Sequence, residues 1–432
     1  MKNSPLLSWA FGLWLAGTVS AENWAQWRGP AFNGSSPETR LPVAWSTNQN
    51  MAWTAPLPGH SGATPIIWGN AIFVTSPDAQ KDLHLLCLNR QDGALRWQRK
   101  VSTGDRTIGM NNMASPSPAT DGQTVFVLFG TGDLAAFDFD GKELWHRNLA
   151  GDFGKFALMW IYGSSPLLFQ DRLYIQLLQR NPPEYSHALD DKPARESFLL
   201  CLDPKTGRDL WRQVRVTDSA KESMEAYTTP IPHTGRQGTE LLVVGGDHVS
   251  GHRPDNGQEL WRARLHDVRN DYFRIVPSAV GADGLIIACG PKGQPVVAFK
   301  EGGRGNVTKT HLAWSFKENP TDWSTPLYYQ KKLYVLDGGK RVLSRLDPAT
   351  GQREWSGNLG VTERIWASPT GADGKIYVIS ERGTTIVCAA DSEFKILATN
   401  RLEENPTRAS VAVSGGQLFL RTARNLYCVG KP

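Results

Sequence analysis

The chain has 432 residues, 40% of them apolar, with 47 basic and 42 acidic side chains and a net charge of +5. That length holds several ordinary domains or one large repeat domain. The near-balance of opposite charges describes a mixed solvated surface and excludes a dedicated nucleic-acid footprint.

Lys2 precedes an apolar run from Pro5 to about Gly17, and Val19-Ser20-Ala21 stands before Glu22. This is the pattern of a cleavable leader over residues 1–21. It is too short to cross a bilayer, which takes about 20 apolar residues, and no later run qualifies as a membrane span. With no cysteine at the cleavage point, the expected product is exported, periplasmic or extracellular, and not lipid-anchored. Residues 22–52 are turn-rich and irregular, with Trp24, Trp27-Arg28-Gly29-Pro30 and Leu41-Pro42. They read as an extended arm lying across the domain that follows at 53–430.

That domain repeats itself. Residues 197–211, SFLLCLDPKTGRDLW, return as RVLSRLDPATGQREW at 341–355, with the Asp-Pro steps 144 residues apart. Weaker copies end at Trp97, Trp145 and Trp261. Each unit opens on a small residue and a hydroxyl: Thr64, Ser117, Ser165, Thr229, Ser278, Thr325, Ser368 and Ser410. Proline follows in six of the eight units. Next come an alternating strand such as Ala71-Ile72-Phe73-Val74, a third such as Leu85-Leu86-Cys87-Leu88, a Gly turn and a Trp-bearing strand. Four short strands per unit and a period near 48 residues predict an all-β, eight-bladed β-propeller of four-stranded antiparallel blades. Proline suits an inner strand whose axial edge has no ladder partner. The glycine supplies the positive φ of a bulged hairpin turn, and the Trp fills space between blades while its N–H seeks a carbonyl. The eighth unit stops one strand short, and residues 53–57 form an orphan fourth strand, so the two termini are expected to complete one blade.

Four of the five cysteines, Cys87, Cys201, Cys388 and Cys428, share one position in the repeat. Such positions lie too far apart for bridging, so all five are expected to be buried apolar residues. Two stretches exceed the repeat: an insert in blade three at about 179–196, and the linker 216–225 before blade four. Insertions on a rigid scaffold are common binding elements.

The repeat form Asp-x-x-Thr-Gly-x-x-x-Trp resembles that of the pyrroloquinoline-quinone (PQQ)-like β-propeller family over essentially the whole mature chain. The resemblance implies two classes of function. Quinoprotein dehydrogenases oxidise alcohols or sugars with PQQ and calcium, the quinone typically stacked between a Trp and a disulfide of adjacent cysteines. Non-catalytic members, such as the propeller subunit of the outer-membrane protein assembly machinery, bind protein partners. This chain has no Cys-Cys pair and no Cys-x-x-Cys-His haem motif. Residues 24–30 resemble the Trp-x-x-Trp-Arg-Gly-Pro opening of exported members.

Residues just ahead of the inner strands vary from unit to unit and would line the channel mouth. They are Trp160, Tyr162, Glu225, Tyr227, Tyr272, Arg274, Trp323, Arg364, Trp366 and Arg408, with His60, Met110 to Met113 and Asp322 nearby. Aromatic and charged groups in a concavity suit a small ligand, and the arginines favour an anionic one. The competing reading packs each aromatic against the next blade and pairs each arginine with Glu225 or Asp322. Glycines 302, 303 and 305 lack a following Lys-Ser/Thr and read as a flexible turn. His248 and His252 are four apart but off any helix, which does not make a zinc pair. The expectation is a monomeric, exported binding or scaffold module without catalytic residues or metal. A protein partner or small ligand is expected at the channel mouth or the blade-three insert. The alternative is a PQQ-dependent oxidoreductase.

Overall fold

The computed structural model describes residues 23–181, 194–267, 271–402 and 404–431. The expected leader and the centre of the blade-three insert, residues 182–193, lie outside them. The described residues form an eight-bladed β-propeller of four-stranded antiparallel sheets, blade four carrying a fifth strand. Blade one is typical, with Ile66–Trp68 innermost, then Ala71–Pro77, Asp82–Asn89 and Leu95–Thr103. Its two middle strands are almost wholly buried while the outermost buries only Trp97 and Val101, as sheets stacked face to face round an axis require. The expected ring closure is present. Met51–Pro56 pairs antiparallel with Asn425–Val429 and supplies the outer strand of blade eight. Among the described residues, helix is confined to Leu149–Phe153 and the 3-10 turn Lys221–Met224, and no helix could cross a membrane.

The repeated hydroxyl does more than its sequence position suggested. The backbone N–H of Thr64 donates to Ser117 Oγ, that of Ser117 to Ser165 Oγ, and so on round the ring until Ser410 donates to Thr64 Oγ1. The eight bonds span 2.8–3.2 Å. Each inner strand has an axial edge without a ladder partner, and a buried N–H there must find an acceptor. The next blade's hydroxyl is that acceptor, and proline at the following position removes the next N–H from the account. A closed girdle results, tying all eight blades at the axis.

The periphery is tied by tryptophans. The indole N–H of Trp97 donates to Phe139 O, Trp145 to Pro204 O, Trp211 to Pro254 O and Trp314 to Pro348 O, each reaching the next blade's turn. Trp53 joins blade eight to blade one through Arg90 O. In those turns Gly207 (φ 68°) and Gly351 (φ 71°) lie flat against Trp145 and Trp314, and a Cβ would come within 2.7 and 2.4 Å of the rings. Backbone angle and space both demand glycine.

Trp261 departs from the pattern and donates to Glu240 of its own blade at 2.7 Å. Blade five lacks the Asp-x-x-Thr-Gly turn that would receive it. In its place Gly305–Asn306 adds a parallel strand beside Trp261 and Arg262. The last two residues of 302–306 are thus a short edge strand, where the glycines suggest a flexible turn throughout, while Gly302 remains in a bend. All five cysteines are buried and unbridged.

His248 and His252 lie on one buried strand with separate partners. His252 Nδ1 sits 3.0 Å from Gly257 O and Nε2 2.9 Å from Ser250 Oγ, a set that suits the neutral ring. Burial holds its pKa down to about 4. Between there and the usual 6.5 the unfolded chain binds a proton that the folded one refuses. Its contribution is therefore whole above pH 6.5 and lost as pH falls towards 4, by about 3 kcal/mol. Urea titrations from pH 7 to pH 4 are expected to show that slope, reduced in His252→Gln; an identical slope in the variant would refute the assignment.

Candidate functional site

The arm runs across one face of the propeller and bonds successive inner strands beyond the girdle. Trp24 pairs with Ile67 in blade one, and Ala25 O accepts from Thr120 N in blade two. Phe32 meets Phe169 of blade three edge-on, at 5.9 Å between ring centres. Arg28 is 1% exposed and donates to Pro326 O and Pro369 O in blades six and seven. Glu38 accepts from Gly415 N and Gly416 N in blade eight. The arm therefore covers the channel on that face. Its Trp27 enters the axis and floors a cavity of about 500 Å³ opening on the opposite face.

Side chains from the loops between blades wall this cavity, with the girdle hydroxyls at its base. Of the ten residues proposed from sequence, Trp160, Tyr227, Arg274, Trp323, Arg364, Trp366 and Arg408 line it. Three do not. Tyr162 is buried in the core between blades, its hydroxyl donating to Gln176 O at 2.8 Å. Glu225 lies behind the wall, fully buried, paired with Arg180 Nη2 at 2.7 Å and accepting from Tyr227 Oη and Met159 N. Burial raises its pKa and Arg180 opposes the rise. Tyr272 projects to solvent, 65% exposed, with Lys221 Nζ 4.9 Å above its ring. Met110 and Asn111 also line the cavity, whereas Asn112 turns inward to donate to His60 O.

The sequence reading missed Trp27, Glu222, Phe273 and Lys292, which complete the lining. Glu222 accepts the Trp160 indole N–H at 3.0 Å and lies 3.9 Å from Arg274. Asp322 is 3.8 Å from the same guanidinium. Burial raises the Asp322 pKa, with Arg274 opposing. Trp323 and Trp366 stack with ring centres 4.3 Å apart, and Trp366 Nε1 donates to Glu381 at 2.8 Å. Four cations and two carboxylates thus face an aromatic-walled space.

The family described as outer membrane protein assembly factor BamB matches residues 36–173 and 195–431. The chain belongs to this PQQ-like propeller family. Solved structures of similar fold include BamB from Moraxella catarrhalis, at 12% identity and TM-score 0.60, covering 88% of this chain and 97% of that one. The quinohemoprotein alcohol dehydrogenase from Comamonas testosteroni aligns at 12% identity and TM-score 0.65, over 95% and 81%. A europium-containing methanol dehydrogenase aligns at 11% and 0.64, over 94% and 90%. No curated protein matches the chain. The family match establishes a BamB-like propeller, and structural neighbours of identity this low share its fold and leave its use to the site.

Proposed function

We propose that this BamB-like propeller is an exported binding module that holds a small ligand, or a projecting group of a protein partner, in its axial cavity without chemistry of its own. The observation that carries this is the floor: Trp27 turns a channel into a blind cavity lined by aromatic and charged groups. Blind, largely preformed concavities with a few convergent polar groups are the usual form of ligand sites. Membership of a family described as an assembly factor supports a binding role. The leader-like N-terminus supports export.

The oxidoreductase reading has one observation in its favour, since Trp27 and the cavity cations suit a planar polyanion such as PQQ. The donor set does not suit the calcium that accompanies it in the dehydrogenase class. Both cavity carboxylates, Glu222 and Asp322, flank one guanidinium, that of Arg274. Among the described residues, the grouping of three acidic or histidine side chains within metal-binding reach is Asp78, Asp82 and His84, outside the lining. The buried cysteines are also outside it.

Native mass spectrometry of the protein purified from its own cell envelope tests the proposal. A bound small mass, or a bound partner, that is lost in Trp27→Ala is the expected result. Dye reduction with alcohols or sugars that requires added PQQ and calcium would overturn it in favour of the oxidoreductase.

A further inference from the structure

We propose that Arg364 and Arg408 form an oxyanion clamp in the cavity wall, receiving a carboxylate, sulfate or phosphate group of the bound small molecule; this rests on the cavity being the binding site. The two residues come from successive loops, between blades six and seven and between blades seven and eight. Their guanidinium carbons lie 5.8 and 5.1 Å from the ring centre of one residue, Trp366. That ring cannot swivel freely, because Trp323 stacks on it and Glu381 holds its N–H. Trp366 is therefore a mount for two cations and not an open stacking platform.

The charges on this mount are unbalanced at contact range. Arg274 has both Glu222 and Asp322 within 4.0 Å, whereas among the described residues no carboxylate lies that close to Arg364 or Arg408. Neither guanidinium donates a hydrogen bond within the described chain. Glu381 is the carboxylate that acts on Arg408's charge. Its oxygens are already engaged by Arg364 N and by the Trp366 indole. Arg364 is exposed at the mouth, where water serves it, but Arg408 is half-buried and burial lowers its pKa. A cation withdrawn from water without an anionic partner is costly, and an oxyanion accepting from forked guanidinium donors removes that cost. Beside Arg408 the lining continues through uncharged Gly62 and Ser115. The cavity carboxylates, Glu222 and Asp322, are both at Arg274 and not at this mount, so the ligand's charged group is directed to Arg364 and Arg408 and its remainder lies over Trp27.

Calorimetric titration of the full-length protein with inorganic sulfate, inorganic phosphate and acetate, at constant ionic strength, tests the clamp. At least one probe is expected to bind at a single saturable site, and which one does so distinguishes a tetrahedral from a planar oxyanion. Arg408→Met should weaken it about tenfold or more, and Arg364→Met less, because that charge is better solvated. Arg408→Lys should fall between, keeping the charge without the fork. Tyr272→Ala, a solvent-facing substitution outside the lining, should bind the same probe as wild type does. Loss of a native ligand in Trp27→Ala tests the binding-module reading separately. No saturable binding to the wild type, equal affinity in both Met variants, or loss of binding in Tyr272→Ala would each overturn the clamp. Arg364→Met, at an exposed position, keeps the test alive should Arg408→Met not fold.

Discussion

Deletion of residues 23–57 is expected to abolish cooperative unfolding altogether. The segment carries the outer strand of blade eight, and without it Asn425–Val429 becomes a bare edge with an uncovered apolar face. Trp24, Leu41, Trp45, Trp53 and Leu57 are all buried in the core that also holds blades seven and eight. At roughly 2–3 kcal/mol for each large apolar side chain buried, their loss amounts to about 10 kcal/mol. That equals the whole net stability of an ordinary domain, about 5–15 kcal/mol. The deletion also removes the Trp53 bond to blade one and the Arg28 bonds to blades six and seven, so the ring opens where it is closed. Circular dichroism melts are the measurement. A sigmoidal transition at the temperature of the intact chain would show that the termini do not close the ring.

Repetition made the fold legible in the sequence. Each unit must solve the same two problems, an unpaired inner edge and a wedge-shaped gap between sheets. Eight hydroxyls and a series of tryptophans therefore recur in register. What repeats is structural, and the cavity is built from what does not repeat. Within those loops, sequence gives proximity but not direction. Trp160 and Tyr162 are two residues apart, yet one faces the cavity and the other enters the core. The loop between them carries Ile161 at φ 68°, so strand alternation does not apply to it. Arg364 and Trp366 stay on one side because buried Ile365 anchors the chain between them. Trp27 was beyond reach for another reason. Its approach to the axis depends on bonds between residues about 300 positions apart, such as Arg28 to Pro326, which no local pattern encodes. Its neighbours Arg28 and Gly29 were visible as a motif without indicating what they hold in place.

The repeat's own tryptophan carries the second large effect, and Trp314 isolates it. This side chain is 8% exposed, lies on Gly351 in the turn of blade six, and donates to Pro348 O at 2.8 Å. Trp314→Ala removes the ring that fills the gap between blades five and six. It also strands the carbonyl that follows Asp347 in the LDPATG turn. Aromatic-to-alanine changes at buried sites cost about 3–5 kcal/mol, and the upper part of that range is expected here because Gly351 has no side chain with which to fill the void. Trp314→Phe keeps most of the apolar contact and loses only the donor, so about 1 kcal/mol is expected. Chemical denaturation of both variants against wild type divides packing from hydrogen bonding at one interface. Equal losses in the two variants would assign the latch to the hydrogen bond, and a Trp314→Ala loss below about 1 kcal/mol would remove it from the forces holding the ring. The same substitutions should leave oxyanion binding unchanged wherever the protein remains folded. The latch lies at the periphery, outside the cavity lining, and the girdle bonds between Ser278, Thr325 and Ser368 hold the inner strands independently of it.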